Sequence, residues 1–213
     1  MCGISGSAAS GSGGSPHGQV GTHDSQIPVG GAGVIFNPPY RIRSLALAQE
    51  TIDQFEGVRA QFTEKTHLQM LDVVVNHIRF EWLDLDIDAT MATMGPNPQA
   101  RVFGAGSRAG LVGYDAIRAN YLRQFSFGTN GGGLELERLV IDSEAVIAQG
   151  TLVQLGAVVA GAWPEIAAVL DPARTSLVRK HAVLILPFED GKIAGEFCYF
   201  DGTYTPADVV YLD

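Results

Sequence analysis

Residues 64–83 read EKTHLQMLDVVVNHIRFEWL, and the spacing of their apolar side chains predicts the first long helix of the fold. Large apolar residues at spacings of three and four give a helix one buried stripe. That stripe holds Leu68, Leu71, Val75, Ile78 and Trp82. A second stripe, with Met70, Val74, His77 and Glu81, lies roughly 100° farther round the helix. We therefore expect His77 and Glu81 one turn apart at the edge of the core, either bordering a cavity or forming an ion pair that only stabilises the helix.

The composition of the whole chain narrows the classes of partner. The chain has 213 residues, of which 46% are hydrophobic and 17% are charged, which suits one globular domain with a substantial core. Its formal net charge is −9 with 14 basic residues, too few to bind nucleic acid or an anionic membrane surface. A small organic molecule or another protein chain is the expected partner.

The two cysteines and the start of the chain indicate the compartment. Cys2 and Cys198 lie far apart, in no zinc-binding spacing, so neither a disulfide nor a zinc site is expected. The first residues lack a charged segment followed by an apolar block of the kind that directs secretion. We therefore expect a cytoplasmic protein.

The chain divides into an arm and a domain. Residues 1–43 are rich in Gly and Ser, which bury too little apolar area to offset their ordering entropy, so we predict a flexible N-terminal arm. Residues 44–213 are predicted to form a single domain whose core spans about 66–205.

Helices precede the long strands in the predicted domain. Besides the helix at 64–83, helical segments are expected at 44–56, at 89–94 and from 113. Strands are expected at 99–104, 134–141, 145–155, 175–188 and 192–200, with turns at Asp142-Ser143 and at Asp190-Gly191. This order predicts an α+β fold with a mostly antiparallel sheet.

Short phrases along this domain carry a resemblance to a known family. They are DIDATM at 86–91, GYDAIR at 113–118, and DGKI at 190–193 running to YFD at 199–201. In order and spacing the chain resembles a SnoaL-like domain of the nuclear transport factor two superfamily, which includes ketosteroid isomerases and polyketide cyclases. The resemblance implies a cone-shaped α+β barrel, in which a curved sheet wraps around the N-terminal helices and encloses an apolar pocket. It also implies acid/base chemistry without a cofactor.

The register of the last hairpin leaves the catalytic carboxylate open. Counting from a two-residue turn at 190–191 pairs His181 with Phe200 and puts His181 on the same sheet face as Glu196. Asp201 then falls on the opposite face. In the family that the chain resembles, the aspartate of the final Tyr-Phe-Asp phrase often faces the pocket, which implies Asp201 as a base.

Ionisable side chains in an apolar pocket suit acid/base catalysis, because burial moves the pKa values of carboxylic acids and histidines towards neutrality. The candidate catalytic residues are His77, Glu81, His181, Glu196 and Asp201. The candidate substrate-binding residues are Trp82, Tyr121, Phe125 and Tyr199.

These residues predict a dehydratase, isomerase, cyclase or hydrolase that acts on a small hydrophobic, oxygenated molecule and needs no cofactor or metal. A homodimer is the expected assembly. One alternative is a non-catalytic module for ligand binding or oligomeric assembly. A second is a metalloenzyme, because two histidines and a carboxylate can hold Fe(II), Mn(II) or Zn(II).

Overall fold

The structure, a computed structural model, describes residues 38–104, 110–126, 132–156, 159–160, 164–171 and 173–212. The helices are α1 (Pro38–Gly57), α2 (Lys65–Ile78), α3 (Ile87–Ala92), α4 (Tyr114–Phe125) and α5 (Pro164–Ala167). The strands are β1 (Met94–Phe103), β2 (Leu111–Val112), β3 (Gly132–Ile141), β4 (Ala145–Leu155), β5 (Ser176–Glu189), β6 (Lys192–Phe200) and β7 (Val209–Tyr211). Within these ranges, no helix combines the length and the apolar character needed to cross a membrane.

The first helix starts earlier than the sequence predicts. It begins at Pro38 rather than near residue 44, so the end of the predicted arm is helical. Proline is tolerated in the first turn of a helix, where its missing N–H has no intrahelical partner to lose. Residues 1–37 of the predicted arm lie outside the described part of the chain.

The helix predicted at 64–83 changes its winding near its end. α2 is α-helical to Ile78 and continues as a π-helical turn, Arg79–Asp84. Leu85 ends this turn with φ 52°, in the left-handed region. The Asp86 carboxylate then caps α3 by accepting hydrogen bonds from backbone N–H groups of that helix.

The strands form one mixed sheet in the order β2-β1-β6-β5-β4-β3, with β7 paired to β5. β1 and β6 are parallel, and every other pairing in this sheet is antiparallel. The predicted α+β fold, with N-terminal helices and a curved, mostly antiparallel sheet, is confirmed, although β1 and β2 precede α4 in the chain. The sheet is open, with β2 and β3 at its ends, and does not close into a barrel.

The main core lies between the helices and one face of the sheet. It contains fully buried side chains from α1, α2, α3, α4 and the strands that they cover. These include Ile52, Phe55, Leu71, Val74, Met91, Ile117, Leu134, Val146 and Ile193. Ile193 and Val146 lie on the inner face of the sheet. The cavity described below opens beside this core.

A β-bulge changes the predicted register of the last hairpin. Glu189 pairs with Lys192 as predicted, but the register shifts between Ile185 and Phe188, so that Ala182, not His181, lies opposite Phe200. Pro187 lies within the shift, and it has no N–H to donate to β6. Successive strand residues point to opposite faces, so a shift of one residue exchanges the faces. The prediction that His181 and Glu196 share a face is therefore wrong.

Candidate active site

Ionisable side chains from distant segments meet at the inner wall of the domain. His77 Nε2 lies 2.8 Å from Glu196 Oε1 and 3.4 Å from Glu81 Oε2. Tyr121 Oη donates a hydrogen bond of 2.8 Å to Glu196 Oε2 and lies 3.3 Å from His77 Nε2. These side chains, His77, Glu81, Tyr121 and Glu196, are called the carboxylate–histidine cluster below.

Each element presents its member of the cluster for a local reason. His77 lies in the last turn of α2, and Glu81 follows in the π-helical turn, a distortion that occurs often at functional sites. Tyr121 lies on the buried side of α4, one turn after Ile117. Glu196 lies on the inner face of β6, on the same side as Cys198. The helices and the sheet therefore both contribute ionisable side chains to the same cluster.

The hydrogen bonds around Thr93 identify which nitrogen of His77 keeps its proton when the ring becomes neutral. Thr93 Oγ1 donates its only hydrogen to the Thr90 carbonyl at 2.6 Å. It also lies 2.5 Å from His77 Nδ1, so in that contact it must accept a hydrogen bond from Nδ1–H. His77 Nε2 is then the nitrogen that exchanges a proton with the carboxylates.

The surroundings of the cluster shift the pKa values of its two carboxyl groups in opposite directions. Burial, together with the charge of Glu196, raises the pKa of Glu81. Burial also acts to raise the pKa of Glu196, but hydrogen bonds from His77 and Tyr121 outweigh it and lower that pKa. Carboxylic acids whose pKa values are pushed apart in this way suit opposite roles, with Glu81 as a proton donor and Glu196 as a proton acceptor.

The histidine and the phenol stay protonated near neutral pH. Burial alone would lower the pKa of His77, but hydrogen bonds to Glu196 and Glu81 raise it to about 10. Burial and the nearby carboxylates raise the pKa of Tyr121 well above its usual value. At neutral pH the cluster therefore contains an imidazolium, the Glu196 carboxylate and a neutral phenol, and the raised pKa of Glu81 favours its protonated form.

A cavity of about 310 Å³ lies against the cluster. His77, Glu81 and Glu196 line it together with Cys198, whose thiol has its pKa raised to about 12 by burial and by Glu196. Its apolar wall includes Phe55, Ile78, Trp82, Leu152, Leu184 and Leu186. The side chain of Glu196 is 25% exposed, against 3% for His77, so Glu196 is the cluster member most accessible from the cavity.

The cluster could also be considered as a metal site, because His77, Glu81 and Glu196 offer ligand atoms within 4.8 Å of one another. Two ligand atoms on one tetrahedral zinc ion are about 3.3 Å apart, since Zn–N and Zn–O distances are about 2.0–2.2 Å. His77 Nε2 and Glu196 Oε1 are closer than that, at 2.8 Å, which is a hydrogen-bond distance. The geometry therefore favours a shared proton over a shared metal ion.

Two of the candidate catalytic residues lie away from the cavity. His181 Nε2 contacts Glu137 Oε2 at 3.1 Å, and both side chains are largely exposed. Asp201 forms an ion pair with Lys180, with Oδ1 to Nζ at 3.2 Å, and Lys180 also bonds to Asp208. β5 alternates without interruption, which places His181 on the outer face, while the extra residue of the bulge lies in β6 and turns Glu196 to the inner face. Asp201 follows the end of β6.

Of the four predicted substrate-binding residues, one lines the cavity and three do not. Trp82 lines the cavity. Tyr121 is not among the residues that line it and instead supports Glu196 from behind. Phe125 packs against the Tyr121 ring, with ring centroids 5.9 Å apart. Tyr199 lies on the outer face of the sheet, where it stacks on Phe103 at 4.4 Å, because side chains of β6 alternate between the two faces.

Sequence reasoning missed Thr93 and Cys198 as parts of this site. Thr93 follows α3 and reaches His77 only through the tertiary fold, so no local spacing identifies it. Cys198 could have been found, since it lies two residues after Glu196 on the same strand and therefore on the same face.

Comparisons with known proteins place the chain beside one group of solved structures. No family model and no curated protein matches the chain. The chain is similar to NTF2-like and SnoaL-like proteins of known structure. A putative SnoaL-like polyketide cyclase from Jannaschia sp. CCS1 is 15% identical, with a TM-score of 0.46, over 66% of this chain and 90% of that chain.

Two further structures show the variety within this group. An LEH-like epoxide hydrolase from M. tuberculosis is 16% identical, with a TM-score of 0.42, over 62% of this chain and 83% of that chain. An NTF-2 like protein of unknown function from Burkholderia xenovorans LB400 is 16% identical, with a TM-score of 0.41, over 64% of this chain and 86% of that chain. These are the kinds of protein that the sequence was predicted to resemble.

Proposed function

We propose that the chain is a cofactor-independent acid/base enzyme of the dehydratase, isomerase, cyclase or hydrolase type. The observation that carries the proposal is the contact of His77 with both carboxyl groups, a hydrogen bond to Glu196 and an ion pair with Glu81, on the wall of a largely apolar cavity. General acid/base catalysis needs a proton donor and a proton acceptor within reach of one substrate. The carboxylate–histidine cluster offers both.

Glu196 is the proposed base and Glu81 the proposed acid. Glu196 is ionised, is the cluster member most exposed to the cavity, and is oriented by His77 and Tyr121. Burial raises the pKa of Glu81, which favours its protonated form, and Glu81 also lines the cavity. A substrate C–H proton would pass to Glu196, while Glu81 would give its proton to a carbonyl, hydroxyl or epoxide oxygen.

His77 restores the starting state after such a reaction. One turnover leaves Glu196 protonated and Glu81 ionised. His77 Nε2 lies 2.8 Å from the first carboxyl group and 3.4 Å from the second. Its proton can pass to Glu81, and the proton on Glu196 can replace it at Nε2. Each group then returns to its original charge without an outside proton donor.

The cavity supports a small, mostly hydrophobic substrate that carries oxygen. Its volume of about 310 Å³ is near the lower end of the range for ligand pockets, ~300–1,000 Å³. Its walls are largely apolar, and polar or charged side chains add further contacts, namely Arg101, Asn120, Arg123, Gln124 and Gln154. A substrate with an apolar body and one or two oxygen functions matches this lining.

The test measures two things in D₂O: deuterium uptake at carbon atoms of candidate substrates, and conversion of those substrates to products. The purified protein is incubated with small hydrophobic β-hydroxy ketones, β,γ-unsaturated ketones and epoxides, and products are followed by NMR and mass spectrometry. Deuterium incorporation, or gain or loss of water, is expected for at least one class. It should be strongly reduced in Glu196→Gln and Glu81→Gln and unchanged in Glu137→Gln, which alters an exposed carboxylate on the outer face.

The alternative is a module that binds a ligand without reaction. It predicts that compounds from the same panel bind in the cavity, with no deuterium uptake and no turnover. Binding without chemistry, or equal rates in wild type and Glu196→Gln, would therefore contradict the proposed enzyme.

A further inference from the structure

Thr93 lies where three parts of the active-site wall meet. Its Oγ1 accepts a hydrogen bond from His77 Nδ1 at 2.5 Å and donates one to the Thr90 carbonyl at 2.6 Å. Its own carbonyl accepts a hydrogen bond of 3.0 Å from the backbone N–H of Ile193 in β6. The residue thus joins the end of α3 to the α2 histidine and to the strand that carries Glu196.

We propose that Thr93 is a positioning residue for the reaction, holding the His77 ring with Nδ1–H fixed and Nε2 directed between Glu196 and Glu81. The inference rests on the proposed function of the cluster. A histidine that donates from one ring nitrogen to a fixed acceptor is held in one orientation and one tautomer. Here the fixed acceptor is a hydroxyl whose own hydrogen is already committed to Thr90.

The loss of this acceptor would disturb the return of protons. If Nδ1 had no acceptor, a neutral His77 would gain more by carrying its proton on Nε2, where it can donate to Glu196. Nε2 would then have no lone pair to receive a proton from that carboxyl group. The groups that face the ring are Glu81 from the π-helical turn, Glu196 from β6 and Tyr121 from α4. Those three titratable groups would still face the ring in a Thr93 variant. Any effect of the variant would therefore come from the changed proton position and orientation of the His77 ring.

A purely structural role for Thr93 is the competing explanation, since its hydroxyl also closes the end of α3. Thr90 provides a matched control. Its hydroxyl bonds to the carbonyl of Asp86 at 2.7 Å, four residues earlier, in the same short helix. Thr90→Val therefore removes a similar helix bond without removing a contact to His77.

The test compares Thr93→Val, Thr93→Ser and Thr90→Val in the full chain. If Thr93 positions His77, Thr93→Val lowers kcat by roughly tenfold to a hundredfold, as loss of an outer partner of a functional histidine does elsewhere. KM should change less than about threefold, because a positioning residue acts on the chemical step more than on substrate binding. Thr93→Ser, which keeps the hydroxyl, should restore most of kcat. Thr90→Val should lower stability but leave kcat near the wild-type value.

Nitrogen-15 NMR of the histidine ring gives a readout that does not depend on catalysis. As pH rises through the titration of His77, the wild type should lose its proton from Nε2 and keep it on Nδ1. In Thr93→Val, or in Thr93→Ala if the valine variant does not fold, the proton should redistribute towards Nε2. Signals are assigned by their absence in His77→Gln.

Several results would overturn the inference. One is an Nε2–H tautomer in the wild type, which needs no variant to detect. Another is an equal loss of kcat in Thr93→Val and Thr90→Val. If no substrate is found, the proposed function fails while the tautomer measurement still decides whether Thr93 positions the ring.

Discussion

His77 Nε2 and Glu196 Oε1 lie 2.8 Å apart although the two residues are separated by 119 positions in the chain. The contact joins the end of α2 to the middle of β6, so it forms only when the helices pack on the sheet. In a region of low dielectric constant, such a pair interacts far more strongly than an exposed one. The same contact therefore links the stability of the fold to the chemistry of the site.

The first prediction concerns Glu196 as the base. Glu196→Gln keeps the shape of the side chain but removes its ability to take up a proton. Loss of a general base typically lowers rates by about 10²–10⁴-fold, so we expect a decrease in kcat of that order. The measurement is the initial rate on whichever panel compound reacts. A rate within threefold of the wild type, measured beside Glu137→Gln, would rule out this role.

The second prediction concerns the pH dependence of stability. The pKa of His77 is raised from 6.5 to about 10 in the folded chain, so folding favours its protonated form. The resulting stabilisation is fully present below about pH 6.5 and is lost progressively as pH rises to about 10. The Tm of the wild type should therefore fall more steeply between pH 7 and pH 10 than the Tm of His77→Gln.

Parallel Tm curves for wild type and His77→Gln would mean that His77 is not stabilised as an imidazolium.

The helical part of the site could be predicted from sequence because helix geometry is local. His77 and Glu81 are four residues apart, and their spacing alone put them on one side of the helix at the edge of the core. The structure brings their side chains to 3.4 Å. The π-helical turn that contains Glu81 leaves this proximity intact.

The part of the site on the sheet could be predicted only where the predicted pairing register of β5 and β6 was correct. The turn at Asp190-Gly191 and the pair Glu189–Lys192 were correct, but the bulge opposite Pro187 adds one residue to β6 and exchanges the faces farther along that strand. Proline in a predicted central strand was the available signal. Thr93 carried no comparable signal, because its contact with His77 depends on how α3 packs against α2.

The third prediction concerns His181, which the register count had placed on the same sheet face as Glu196. Its partner is Glu137 on the outer face, and the His181 side chain is 39% exposed. An exposed ion pair contributes ~0–1 kcal/mol, so His181→Gln should change the free energy of unfolding by no more than about 1 kcal/mol. Activity should be unchanged. Urea unfolding and initial rates check both; a tenfold loss of activity would return His181 to the site.

The last prediction concerns metal. His77 Nε2 and Glu196 Oε1 are about 0.5 Å closer than two ligands on one zinc ion would be, given Zn–ligand distances of about 2.0–2.2 Å. Metal binding would have to separate these atoms and displace the proton that they share. We therefore expect substoichiometric zinc, manganese and iron by elemental analysis of the purified protein, and no change in Tm or activity after EDTA treatment. One metal ion per chain, lost in Glu196→Gln but kept in Glu137→Gln, would contradict this and support a metalloenzyme.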